Sequence, residues 1–127
     1  MKAILRNYRC SSKKANLVAK LVRNMRANEA VDILAFTPKK TAEAMKRLLQ
    51  SAIANAQENN AQKSEDLVIK EIIVTEGTTM KRFIPVSRGR AHRIRKRTCH
   101  ITLKLENKPA EKVEKKSSST KTAKTNA

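Results

Sequence analysis

Two apolar, β-branched runs stand on either side of a stretch that has no means of burying itself. The first is LVIKEIIVTE at residues 67–76 and the second is HITLKL at residues 100–105. Both are rich in the Val, Ile and Leu side chains that suit a pleated, buried surface. Between them residues 80–97 read MKRFIPVSRGRAHRIRKR, with eight Lys or Arg and no Asp or Glu. Antiparallel pairing of the runs, Leu67 to Glu76 with Cys99 to Leu105, turns everything between, about residues 77–99, into one long hairpin excursion. Nine extended residues reach roughly 30 Å at about 3.3 Å each, too far to fold back into a small core. Gly89 in the SRGR sequence permits a positive φ, which marks residues 87–90 as the tip.

The alternation inside these segments sets what each buries. In residues 100–105, Ile101, Leu103 and Leu105 alternate with Thr102 and Lys104, the pattern of a half-buried strand. Residues 67–76 are dense in β-branched side chains, which predicts a strand covered on most of both faces. Within the excursion Arg93, Arg95 and Arg97 fall on one face and Ile94 and Lys96 on the other.

Upstream the period changes to that of helices. Ser12 reads as an N-cap, followed by a stripe of Val18, Leu21, Val22 and Met25. Asn28 can cap a second, short helix with Ala30, Ile33 and Leu34 on one face, ending before Pro38. Thr37 then caps a third, with Pro38 at its first position and Ala42, Met45, Leu49, Ala52, Ile53 and Ala56 as its stripe, running to about Asn59. Residues 2–9 mix Ile4, Leu5 and Tyr8 with cations and read as a short strand or a surface arm. Three helices followed by a long hairpin excursion predict an α+β domain over residues 1–106. Residues 107–127 are poor in apolar side chains and rich in Lys, Ser, Thr and Ala, so a disordered basic tail is expected there.

Charge points to the partner. The 127 residues carry 29 Lys plus Arg against 11 Asp plus Glu, a formal net charge of +18, which calls for a polyanion. Nucleic acid is the natural one. No apolar run is long enough to span a bilayer, and no hydrophobic signal region follows Met1, so a soluble intracellular protein is expected. Cys10, Cys99, His92 and His100 complete no zinc-ligand spacing, and neither a metal nor a cofactor is expected. Aromatic residues make up 2% of the chain, too few for a base-stacking sheet, so recognition by RNA shape and backbone is expected.

Two smaller signals reinforce this. Lys13 and Lys14 follow the Ser12 cap, and Lys39 and Lys40 follow the Thr37 cap, where the helix dipole favours anions. Lysines beside free helix N–H groups make a phosphate cradle. In the excursion, Lys81, Arg82, Arg88, Arg90, Arg93, Arg95, Lys96 and Arg97 supply the charge, and Met80, Phe83, Ile84, Pro85, Val86 and Ile94 are interleaved with them. A localisation tag would need no such apolar neighbours.

The segments SSKKANLVAKLVRNM, FTPKK, LLQSAIANAQENN and EIIVTEGTTMKRFIPVSRGRAHRIRKRTCHITL together resemble the bacterial-type large-subunit ribosomal protein family twenty-two, over about residues 3–106. The resemblance implies an α+β fold, three helices packed on a small three-stranded antiparallel sheet with a long protruding β-hairpin, and a structural constituent of the large subunit that binds 23S ribosomal RNA. It also implies contact with neighbouring ribosomal proteins, and a hairpin that lines the nascent-peptide exit tunnel and supports subunit assembly. By the same match Met80, Lys81 and Arg82 fall on a tunnel-side arm, and Ser87, Arg88, Gly89, Arg90 and Ala91 at a tip that meets the nascent peptide. The location implied is the ribosome of the cytoplasm or an organelle. The chain departs from the family's usual pattern at Lys13, commonly proline, at Asn24, commonly glycine, and at Val86, commonly a cation.

Two other classes compete. An architectural DNA-binding protein would insert paired arms into the minor groove, whereas one finger is present here. A nuclease would need His92 and His100 to share a site, and eight residues of strand separate them.

Overall fold

Strand β3 (Ala91–Asn107) is the centre of the fold, because β1 (Lys2–Tyr8) and β2 (Leu67–Pro85) both pair with it, antiparallel, in the order β1-β3-β2. The computed structural model describes residues 1–107. The strand ends at Asn107, and the rest of the expected basic tail lies outside the described residues. The expected pairing of the two apolar runs is present, with Leu67 opposite Asn107, Ile72 opposite Leu103 and Glu76 opposite Cys99. The opening segment, expected as strand or arm, is a strand, with Ala3 opposite Leu103 and Tyr8 opposite Cys99.

Helices α1 (Ser12–Val22), α2 (Ala27–Phe36) and α3 (Lys40–Asn60) complete the α+β architecture. Their buried faces join Ile101, Leu103 and Leu105 of β3 in one apolar cluster with Met45 and Leu49 at 0% exposure. In α3 the expected stripe is buried at Ala42, Met45, Leu49, Ala52 and Ala56, with Ile53 partly buried and Leu48 added.

In α1 the buried face is Ala15, Val18, Ala19 and Val22, and Leu21 is 52% exposed, contrary to the stripe expected for it. Small alanines let the helix approach closely, so the packing face turns away from Leu17 and Leu21. Asn24, just beyond α1, has φ 62, the left-handed conformation that glycine adopts most cheaply and asparagine tolerates.

The covered-on-both-faces expectation for residues 67–76 is corrected. Leu67, Ile69 and Ile72 are buried, but Ile73 is 37% exposed, because the helices cover only one face. A bulge between Ile69 and Glu71 explains the broken alternation: one extra residue lets Ile69 and Ile72 both turn inward. On the open face only Val68 is shielded, beside its isolated bridge to Arg26.

Beyond Glu76 and Cys99, β1 no longer accompanies the pair, and the two long strands continue alone as a ribbon. Pairing runs from Thr79 opposite Arg97 to Pro85 opposite Ala91, seven residues on each arm and roughly 23 Å at about 3.3 Å per residue.

Candidate nucleic-acid interface

The base of this finger is built from short-range fits. A second β2 bulge falls between Glu76 and Thr79, opposite the regular step from Cys99 to Arg97. Gly77 sits in it, where a Cβ would lie 2.6 Å from Thr98 Oγ1 and 3.2 Å from His100 Nε2. Only glycine lets the strands close here. Thr98 Oγ1 donates to the Thr78 carbonyl at 2.7 Å, and His100 Nδ1 accepts from the Asn7 backbone N–H at 3.1 Å. Asn7, with φ 53, occupies the extra position of a β1 bulge, so one histidine is held between two irregular strands. On the helix side Ser12 Oγ donates to Glu76 Oε1 at 3.0 Å, fixing the last carboxylate before the finger.

Along the ribbon, paired residues share a face and successive residues alternate. One face carries Lys81, Phe83, Arg93, Arg95 and Arg97; the other carries Met80, Arg82, Ile84, His92, Ile94 and Lys96. The expected period-two row of arginines is therefore present. Arg93 lies over the Phe83 ring, 5.8 Å from its centroid, while Met80 and Ile94 are the half-buried side chains of the opposite face. At the tip a single 3-10 turn, Ser87–Gly89, is closed by Val86 N–H donating to the Arg90 carbonyl at 2.9 Å. Gly89 has the expected positive φ of 68, and Arg88 shares it at 60. Nothing lies within 4 Å of a Cβ at Gly89, so backbone conformation alone favours glycine there.

Among the described residues the finger's cations make no ion pair. Among the described residues the ion pairs are Arg47–Glu43, Lys70–Glu106 and Lys104–Glu71, all on the domain. Eight unpaired cations on a ribbon of two strands repel one another until an anion arrives.

The expected helix-start lysines converge. Arg9, Lys14, Lys39 and Lys40 line one groove of about 510 Å³, floored by Cys10, Leu17, Val18 and Thr41. Lys13, though in the first turn of α1, is not part of the lining. The expected caps are corrected. Helix α1 begins at Ser12 itself, whose hydroxyl is taken by Glu76, and Ser11 stands at the cap position without a side-chain bond. Helix α2 begins at Ala27 behind Arg26, not at Asn28. Helix α3 begins at Lys40 with Lys39 at its cap position, because Thr37 Oγ1 donates back to the Ile33 carbonyl and closes α2 instead. No side chain caps α1 or α3, which leaves both sets of N-terminal N–H groups beside lysines. Arg9 and the groove floor carried no local signal, since 30 residues of chain separate Arg9 from Lys39.

A basic finger with a glycine in its root bulge, set on a three-helix α+β domain, is matched across residues 3–106 by the family model described as ribosomal protein L22p/L17e. The chain belongs to the L22p/L17e family. Members of this family are structural proteins of the large ribosomal subunit, which sets the chain's place in the ribosome and its translational role. Within that family the groove and the finger are the two candidate contacts.

Two titratable groups near the finger's base are shifted by burial. Burial pushes the Cys99 thiol up, with nearby Cys10 adding to it, and burial followed by Cys10, Cys99 and Glu43 raises the Tyr8 phenol. Cys10 Sγ is 3.4 Å from Thr41 Oγ1, and Tyr8 Oη donates to the Lys40 carbonyl at 3.2 Å. His92 and His100 lie eight residues apart on one strand, roughly 26 Å at about 3.3 Å per residue. They share no site. Among the described residues no group of three or more His, Cys, Asp or Glu is placed to hold a metal, and no helix is long and apolar enough to cross a membrane.

Proposed function

We propose that the chain anchors itself on 23S ribosomal RNA through two basic contacts, the finger and the helix-start groove. In this reading the finger tip reaches the nascent-peptide tunnel and the chain supports assembly of the large subunit. The observation that carries it is the finger's charge: eight Lys or Arg, no Asp or Glu over residues 80–97, and no acidic partner among the described residues. Burial cannot hold a two-stranded ribbon that is exposed on both faces, so an external surface must. Ribosomal RNA supplies both the surface and the counter-charge.

Lys81, Arg82, Arg88, Arg90, Arg93, Arg95, Lys96 and Arg97 carry the finger contact. Lys13, Lys14, Lys39 and Lys40 carry the contact near the helix starts, with Arg9 joining Lys14, Lys39 and Lys40 in the groove. Lysine and arginine neutralise phosphates and release counterions, and the uncapped starts of α1 and α3 add N–H donors. Met80, Lys81, Arg82 and the tip, Ser87, Arg88, Gly89, Arg90 and Ala91, are the tunnel-side residues. Neighbouring subunit proteins pack against the domain.

Crosslinking in cells by ultraviolet light, with sequencing of the attached RNA and mapping of the attached peptide, tests this directly. The expected result is a few discrete sites on 23S ribosomal RNA, many of them on peptides from residues 80–97. Crosslinks scattered over messenger RNAs, or recovery of DNA in their place, would refute it.

A further inference from the structure

The finger's two faces differ in a way that composition conceals. Counting its cations gives one uniformly basic stretch; the strand register divides them. Lys81, Arg93, Arg95 and Arg97 share a face on which Phe83 lies under Arg93 and the other apolar members, Pro85 and Ala91, stand at the tip end. The opposite face interleaves Arg82 and Lys96 with Met80, Ile84 and Ile94, and Arg82 Nη1 folds back to donate to the Lys81 carbonyl at 2.8 Å. Its half-buried Met80 and Ile94 are diagonal neighbours across the two strands, close enough for side chains of that length to touch.

Spacing sharpens the contrast. Alternate residues of a strand repeat every 6.6 Å or so, at about 3.3 Å per residue. That repeat is close to the separation of successive phosphates along one RNA strand. Arg93, Arg95 and Arg97 therefore carry three planar forks at close to the spacing of three consecutive phosphates, and Lys81 stands across from Arg95, beside the middle of the row.

We infer that the Lys81–Arg93–Arg95–Arg97 face of the ribbon lies along a single RNA sugar-phosphate strand, one arginine to a phosphate, and that the Met80–Arg82–Ile84–Ile94 face is turned away from the RNA backbone. The inference rests on the RNA-anchoring reading above. It commits the finger to an orientation that the reading leaves open. It also separates neighbours in sequence: Lys81 faces the backbone strand while Met80 and Arg82 face away.

Two double substitutions that remove equal charge test it. Arg93→Gln with Arg95→Gln alters one face, and Arg82→Gln with Lys96→Gln alters the other. Binding of the full chain to transcribed 23S RNA, and to an unrelated RNA of equal length, is measured over a range of salt concentrations. The first pair is expected to reduce the magnitude of the slope of log K against log salt by roughly 1.5, at about 0.7 to 0.9 for each lost phosphate contact. The second pair is expected to reduce it by less than half as much, since Arg82 and Lys96 meet the RNA away from the phosphate strand. Arg93→Lys with Arg95→Lys should recover most of the slope but less of the affinity, since lysine neutralises phosphate without the bidentate fork. Equal slopes from the two Gln pairs, whether both lowered or both unchanged, would overturn the division of faces. A parent that prefers neither RNA would instead count against ribosomal anchoring, and the comparison of faces would still be read on either RNA.

Discussion

Gly77 offers the sharpest test of how the finger is rooted. Replacing it with alanine puts a methyl group 2.6 Å from Thr98 Oγ1 and 3.2 Å from His100 Nε2. His100 cannot yield freely, because Asn7 N–H holds its Nδ1, so Thr98 must rotate and release the Thr78 carbonyl. Overpacking of this kind costs about 1–3 kcal/mol, and the lost hydrogen bond adds about 1 kcal/mol. The smaller conformational freedom of alanine in the unfolded chain returns roughly 0.5 kcal/mol. Gly77→Ala should therefore destabilise the free protein by about 2 kcal/mol in urea unfolding followed by circular dichroism. The mechanism predicts strong coupling. Thr98→Ala alone loses the hydrogen bond, but it also removes the clashing oxygen, so adding Gly77→Ala to it should cost under about 1 kcal/mol, a coupling of at least 1 kcal/mol. A neutral Gly77→Ala, or strictly additive effects, would refute the steric account of the bulge.

Other outcomes follow from the same geometry. Lys39→Ala with Lys40→Ala should reduce the magnitude of the salt slope of RNA binding by about 1.5 to 2, and Arg9→Ala should reduce it further through the shared groove; an unchanged slope in both would remove the groove from the interface. Leu49→Ala, at a position with 0% exposure, should cost about 2–5 kcal/mol, whereas Leu17→Ala, at 64% exposure, should alter stability by under about 1 kcal/mol, as read by urea midpoints. Burial raises the Cys99 thiol above 9.0, so the folded chain keeps a proton that the unfolded chain loses. That contribution is complete below about pH 9 and fades as pH climbs through the raised value. Because alkaline pH also relieves cationic repulsion, the readout is the difference between the parent and Cys99→Ala, which should shrink between about pH 8 and about pH 10; a constant difference would contradict it.

Much of the fold was legible because its signals are local. Alternation of Ile101, Leu103 and Leu105 marked a strand with one covered face, and the stripe from Ala42 to Ala56 marked the longest helix. The errors arose where a distant partner decides. Ser12 has the chemistry of a cap, but Glu76, 64 residues away, takes its hydroxyl. Thr37 precedes a proline as a cap should, yet its hydroxyl turns back to Ile33. Leu21 fits an apolar stripe as well as Val22 does, but two alanines determine the face that packs. Residues 67–76 carry six Val, Ile or Leu side chains spread over both faces, and the one-sided placement of the helices leaves Ile73 open.

The candidate site divides in the same way. The finger was visible in sequence because its charge, its flanking strands and its glycine tip lie in one continuous stretch. The groove was half visible: Lys14 and the pair Lys39 and Lys40 each mark a helix start, while the convergence that brings Arg9 between them depends on β1. That dependence ties the two contacts mechanically. Tyr8 pairs with Cys99 just below the finger and donates to the Lys40 carbonyl at the start of α3, and Ser12 at the start of α1 holds Glu76 at the finger's base. The starts of both uncapped helices are thus joined to the two strands of the finger by direct contacts of the β1–α1 segment. An RNA that fills the groove must also fix the angle at which the ribbon leaves the sheet. Ser12→Ala, which cuts the link to Glu76 while leaving every groove cation in place, should therefore weaken finger crosslinks more than groove crosslinks; finger crosslinks unchanged by it would mean that the two contacts are set independently.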